Sequence, residues 1–189
     1  MTPFLIAEEG YSGAVLVADE RIGPPFDKAL ILIDRHDIEG AVGIILNKPL
    51  SDGQQAQLSA FIRDAGIPVG YGGPLGFSER IFVLEEKKPA KPGGKLRFDL
   101  YDWDDAVRTT PDLLNKIRQS IKSGEQRYRV FTGLSSWAPF QLESEVLAKG
   151  EWHTVPASHD MIYQNNSAVR WDALERQEKT KKTPDQNQS

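Results

Sequence analysis

The chain has 189 residues, 39% of them hydrophobic and 26% charged, with a formal net charge of −4 and no cysteine. That length suits one domain of roughly 100 to 200 residues, and the missing thiols exclude disulfides, thiol nucleophiles and thiolate metal sites. The acidic balance opposes a nonspecific grip on phosphate backbones, which Lys and Arg drive, and the longest apolar run, Ala41 to Leu46, falls far short of the ~20 residues that span a bilayer.

At the N-terminus, Phe4 to Ala7 is too short for a signal h-region and runs into Glu8 and Glu9, so a soluble, cytoplasmic protein is expected. Residues 1–13 show no sustained period and read as an arm before a domain spanning 14–176. The first strand is Ala14 to Ala18. Pro24 and Pro25 keep the next connection irregular, and Ala29 to Asp34 is an almost wholly apolar run of the kind covered on both faces. Asp34 to Asp37 looks turn-like. Ala41 to Asn47 is a second buried strand, stopped by Lys48 and Pro49.

Ser51 and Gln54 have capping-box spacing, and Leu58, Phe61, Ile62 and Ala65 continue at helical intervals, predicting one helix that ends at Gly66 and Pro68. Gly70 to Gly76 must turn sharply, and Ile81 to Leu84 is strand-like. The loop Glu85 to Gly94, with three lysines and several turn-formers, is expected to be mobile. Leu96, Phe98 and Leu100 alternate with charged residues, as in a half-buried strand.

Thr110-Pro111-Asp112 predicts a helix start with Thr as N-cap, and Gly124 its end, with Leu113, Leu114, Ile117 and Ile121 inward. Tyr128 to Gly133 is the next strand, Pro139 to Lys149 a helix with Leu142, Val146 and Leu147 inward, and Glu151 to Val155 a last strand. A short helix around Val169 to Arg176 buries Trp171 and Leu174. Residues 177–189 hold no apolar side chain and are expected to be disordered. Strands that cluster first and then intermix with three or four helices indicate an α+β fold with a mixed sheet.

Between the Tyr128 strand and the Pro139 helix lies a small-residue loop, Gly133-Leu134-Ser135-Ser136-Trp137. A helix start there exposes unpaired N–H groups, which makes Ser135, Ser136 and Trp137 candidates for an anion site. Asn47 and Lys48, at a strand end, and the glycine pair Gly72 and Gly73 are the other candidate lining residues.

Catalytic motifs are incomplete. Trp137 replaces the second glycine of a nucleophile elbow, so Ser135 or Ser136 reads better as a helix cap than as a hydrolase nucleophile served by His153 or His159. His36, His153 and His159, with Asp34, Asp37 and Asp160 nearby, lack metal-ligand spacing. The acidic cluster Asp99, Asp102, Asp104 and Asp105 reads as a solvated turn, and Gly72 to Gly76 lacks a phosphate-loop ending. No catalytic residue, metal or cofactor is expected.

Gly40-Ala41-Val42-Gly43-Ile44-Ile45-Leu46-Asn47-Lys48-Pro49, then Gly72-Gly73-Pro74, then Trp137 with Gln141 to Glu145, and finally Trp152, Pro156-Ala157 and Trp171 form an ordered series. This series, from about Val15 to Leu174, resembles the AlgH/YqgE family of bacterial proteins. Leu134 stands where that family usually has Tyr, and Ser136 where it has Gly. The resemblance implies an α+β fold whose bifurcated sheet bends into a barrel-like shape. It implies no settled activity, although some members carry a transcriptional-regulator label. The leading expectation is a nonenzymatic domain that binds a small anion or a protein partner. The alternatives are DNA regulation through Lys87, Lys88, Lys91, Lys95 and Arg97, and a serine hydrolase.

Overall fold

The computed structural model describes residues 10–88, 96–163 and 171–177. Its strands are β1 (Ala14–Ala18), β2 (Leu30–Asp37), β3 (Gly40–Ile45), β4 (Val69–Tyr71), β5 (Ile81–Lys87), β6 (Arg97–Asp102), β7 (Tyr128–Thr132), β8 (Ser135–Trp137) and β9 (Trp152–Pro156). Among the described residues they form two sheets, one in the order β8-β3-β2-β1-β9 and one in the order β4-β7-β5-β6. All pairings are antiparallel except β4 with β7.

The helices are α1 (Asp52–Gln55), α2 (Ala60–Asp64), α3 (Trp103–Thr109), α4 (Leu113–Ser123), α5 (Gln141–Glu143), which runs on as a π-helical turn Ser144–Ala148, and α6 (His159–Tyr163). A further helical segment covers 171–177.

The period-2 alternation of the strands explains the layering, because both faces of each sheet meet apolar neighbours. Val15, Val17, Leu30, Leu32 and Ile44 point between the sheets against Phe82, Leu84 and Phe131, and Trp171 closes this middle layer. Leu16, Ala18, Ile31, Ile33 and Ile45 point the other way, under Trp137, Leu142 and Trp152. The outer face of the second sheet, with Val83 and Val130, is covered by Ile62, Trp103, Leu113 and Ile117 from the helices and by Leu58 from the α1–α2 connection.

The α+β class holds, but the two sheets are separate and neither closes into a barrel. The expected helices are shorter and more numerous. The capping box at Ser51 forms, with Ser51 accepting from the Gln54 N–H and the Gln54 side chain accepting from the Ser51 N–H. The helix it starts nevertheless stops at Gln55, and Ser59 caps a new one through the Ile62 N–H. That break turns Phe61 out, leaving it 58% exposed.

Asp34 to Asp37 is not a turn but continues β2 through a register shift between Ile33 and Arg35. The acidic cluster is likewise ordered structure. Asp102 caps α3 by accepting from the Asp104 N–H. Thr110 does not cap α4; that position falls to Asp112, in left-handed conformation and with no side-chain cap bond. On α4, Leu113 and Ile117 are buried as expected, whereas Ile121 is partly exposed, and on the π-helical turn Leu147 faces solvent.

The arm's described part, residues 10–13, packs onto β2: the Gly13 N–H donates to the Ile33 carbonyl, the Tyr11 N–H to His36 Nδ1, and the His36 N–H to Ser12 Oγ. Most of the expected mobile loop and the polar tail from 178 onward lie outside the described residues. Among those described, no helix is long and apolar enough to cross a membrane.

Candidate functional site

The residues singled out in the sequence fall in three places. Gly72, Gly73 and Ser135 meet where the chain crosses between the sheets. The Gly72 N–H donates to the Thr132 carbonyl of β7, while its own carbonyl accepts from the Ile45 N–H of β3. Ser135 is buried in β8, and its hydroxyl donates to that same Gly72 carbonyl at 3.4 Å. The stretch read as a loop is thus a strand paired with β3. Neither serine caps a helix, since α5 begins only after Phe140, which makes no side-chain cap bond.

Ser136 and Trp137 lie apart from this crossing, in a groove with Arg21, Phe26, Gln141, Glu145 and Trp152. Both Trp137 and Trp152 donate their indole N–H to Glu145 Oε2 at 2.9 Å, and Gln141 donates to Oε1. All four tryptophans are buried, whereas Phe140 is 71% exposed.

Asn47 and Lys48 line a cleft of about 300 Å³, together with Pro68, Gly70, Ile117, Tyr128, Arg129 and Tyr163. Asn47 is committed to the fold, because its Oδ1 accepts from the Leu30 N–H and its Nδ2 donates to the Lys28 carbonyl, both at 2.8 Å. Asn47→Ala should therefore cost about 2 kcal/mol, the scale of leaving the buried Leu30 N–H unpaired, which urea unfolding would measure. Lys48 pairs with Asp27 at 2.8 Å.

No motif in the sequence marks Arg129. It stands two residues before Phe131 on β7, so period-2 alternation aims it at the space between the sheets. Its Nη1 donates to the carbonyls of Leu46 (2.9 Å) and Ile162 (2.5 Å), and its guanidinium lies 4.7 Å from the centre of the Phe131 ring. Among the described residues it has no carboxylate partner, and Nε and Nη2 have no acceptor. Burial pulls its pKa down to about 10, with the neighbouring Tyr163 acting weakly in the other direction. It remains a cation at neutral pH, set against the apolar walls of the cleft.

Two phenols of the cleft are already engaged. The Tyr128 hydroxyl donates to Glu85 Oε1 and the Tyr163 hydroxyl to the Arg127 carbonyl. Burial raises the pKa of both phenols, so they stay protonated donors. Two of the histidines are accounted for elsewhere: His36 lies 3.0 Å from Glu143, and His159 Nδ1 lies 2.6 Å from Glu86.

A family model described as AlgH-like (DUF179) matches residues 15–182. A UPF0301 protein of Ruegeria pomeroyi is 33% identical over 170 residues, covering 86% of this chain and 88% of that one. Another, from Psychrobacter cryohalolentis, is 30% identical over 167 residues and 83% of each chain. The solution structure of the AlgH protein from Pseudomonas aeruginosa matches with a TM-score of 0.57 at 21% identity, over 87% of this chain and 86% of that one. A crystal structure of a Corynebacterium diphtheriae protein matches at 0.59 and 22%, over 93% and 88%.

Proposed function

The chain belongs to the AlgH-like family, and from its cleft we propose that it is a nonenzymatic cytoplasmic domain that binds a small anion, a carboxylate or phosphate group, at Arg129 and acts in regulation. The observation that carries this reading is the inward-facing guanidinium with free donors and no carboxylate among the described residues. A cation partly withdrawn from water loses solvation that an ion pair restores, and a guanidinium fork matches carboxylate and phosphate oxygens.

Binding rather than catalysis is supported by the surroundings, where Lys48, Tyr128 and Tyr163 are already engaged. The hydroxyl of Ser135 is likewise spent on a carbonyl. An anion on Arg129 also bears on the end of β3 and on α6, because the same guanidinium holds Leu46 and Ile162. DNA regulation has no comparable support: Lys87 is held by Glu85 at 2.6 Å and Asp99 at 3.6 Å.

The test is a thermal-shift titration with phosphate and with small mono- and dicarboxylates. An anion at 100 times its Kd should stabilise the fold by about 2.7 kcal/mol, and Arg129→Gln should abolish the effect. If none of these anions moves the melting temperature, or if the variant responds like the wild type, the reading fails.

A further inference from the structure

On the side of the first sheet farthest from β8, Asp19 just beyond β1, His153 in β9 and Glu175 in the helical segment 171–177 bring one donor atom each to within 4.8 Å of one another. We infer that these three side chains form a binding site for a divalent transition metal of the Zn²⁺ class.

The local structure holds all three in place. His153 lies opposite Val17 in the β1–β9 ladder, and the Asp19 N–H extends that pairing by donating to the Glu151 carbonyl. The helical segment is fixed by Trp171, whose indole N–H donates 2.8 Å to the Ala18 carbonyl, one residue before Asp19. Arg21 holds the other carboxylate oxygen of Asp19, donating to Oδ1 from both its backbone N–H (3.0 Å) and its Nε (2.5 Å). That leaves Oδ2 turned toward His153. An outer partner of this kind orients a ligating carboxylate.

The distances favour an ion over a direct hydrogen bond. His153 Nε2 stands 3.8 Å from Asp19 Oδ2 and 3.6 Å from Glu175 Oε2. Charge-assisted hydrogen bonds run at about 2.7–2.9 Å, well inside both of these separations. Donors arranged tetrahedrally at about 2.0–2.2 Å from Zn²⁺ stand roughly 3.4 Å apart, so the two distances from His153 need to close by only a few tenths of an ångström.

The setting is also dry. The three side chains are 12%, 9% and 5% exposed for Asp19, His153 and Glu175, and Arg21, at 67%, is mostly in water. In so dry a setting water competes little with the donors for a bound ion, and its charge acts on them with little screening. One nitrogen and two oxygens suit a borderline ion such as Zn²⁺, with water completing the coordination. Bound there, the ion ties the helical segment to the sheet edge, and its binding energy adds to the stability of the fold.

The test uses the full chain stripped with EDTA and titrated with Zn²⁺ by calorimetry and with Co²⁺ by visible absorption. One equivalent should bind, the Co²⁺ form should show the d–d bands of a low-coordinate site, and the melting temperature should rise. His153→Gln and Glu175→Gln should each weaken binding by more than about 10-fold, and Arg21→Ala by less, as an outer partner. If His153→Gln does not fold, Glu175→Gln and Asp19→Asn carry the comparison. The absence of stoichiometric binding overturns the assignment, as does unchanged affinity in the folded variants.

Discussion

Gly73→Ala should destabilise the protein by at least about 4 kcal/mol, beyond the ~0.5–3 kcal/mol of ordinary substitutions. Gly73 has φ +152, and a Cβ there would lie 2.2 Å from the Leu134 carbonyl carbon and 2.6 Å from the Ser135 nitrogen. Those are main-chain atoms of the β7–β8 crossing, so no rotamer change relieves the overlap. Gly133 faces it from the other strand, with φ +68 and a Cβ position 2.1 Å from the Gly73 carbonyl oxygen, so Gly133→Ala should behave alike. Gly124 supplies the control, since its φ is +76 but nothing lies within 4 Å of an added Cβ. Gly124→Ala should cost only the backbone term of about 1–2 kcal/mol. Urea unfolding of the three variants reads the difference, and equal losses would mean that the crossing yields.

Phe131→Ala should cost about 3–5 kcal/mol, the range for deleting a buried aromatic ring, and lower the melting temperature by roughly 10 °C in a domain of this size. Phe131 is fully buried in the layer between the sheets. The same ring supports the Arg129 guanidinium at 4.7 Å, and Gly70 leaves room for it, since a Cβ there would come within 2.9 Å of Phe131 Cδ1. The substitution should therefore weaken anion binding as well as the fold. Phe131→Leu separates the two effects: it refills much of the volume but offers no π face. Its stability should recover by more than half while the anion response stays reduced, as a melting curve with and without anion would show.

The sheets were easier to foresee than the site. Apolar runs such as Leu30 to Ile33 and Ala41 to Ile45 announce strands buried on both faces, and the ordered landmarks from Val15 to Trp171 carry the family. Ser135 to Trp137 is not legible as a strand because three residues show no period, and its pairing with β3 is a long-range contact. The helix predicted from Ser51 to Gly66 is two helices because a second cap, Ser59, interrupts a continuous apolar stripe. A rule of alternation applied to β7 would have found Arg129, since a cation on the same face as Phe131 must point inward. No local signal brings His153 to Asp19 and Glu175. Asp160, the closer acid in sequence, lies on α6, while Asp19 reaches His153 through the β1–β9 pairing.

The double crossing at Gly72 and Gly133 sets how the protein comes apart. The Gly72 amide is bonded into one sheet and its carbonyl into the other, and the β7–β8 connection passes the same point. Peeling either sheet away therefore breaks bonds in both, so the two sheets have no separate opening transition at this seam. Hydrogen exchange at the Ile45 and Gly72 amides then requires the cooperative loss of the whole sandwich, which makes these two protons reporters of global rather than local unfolding.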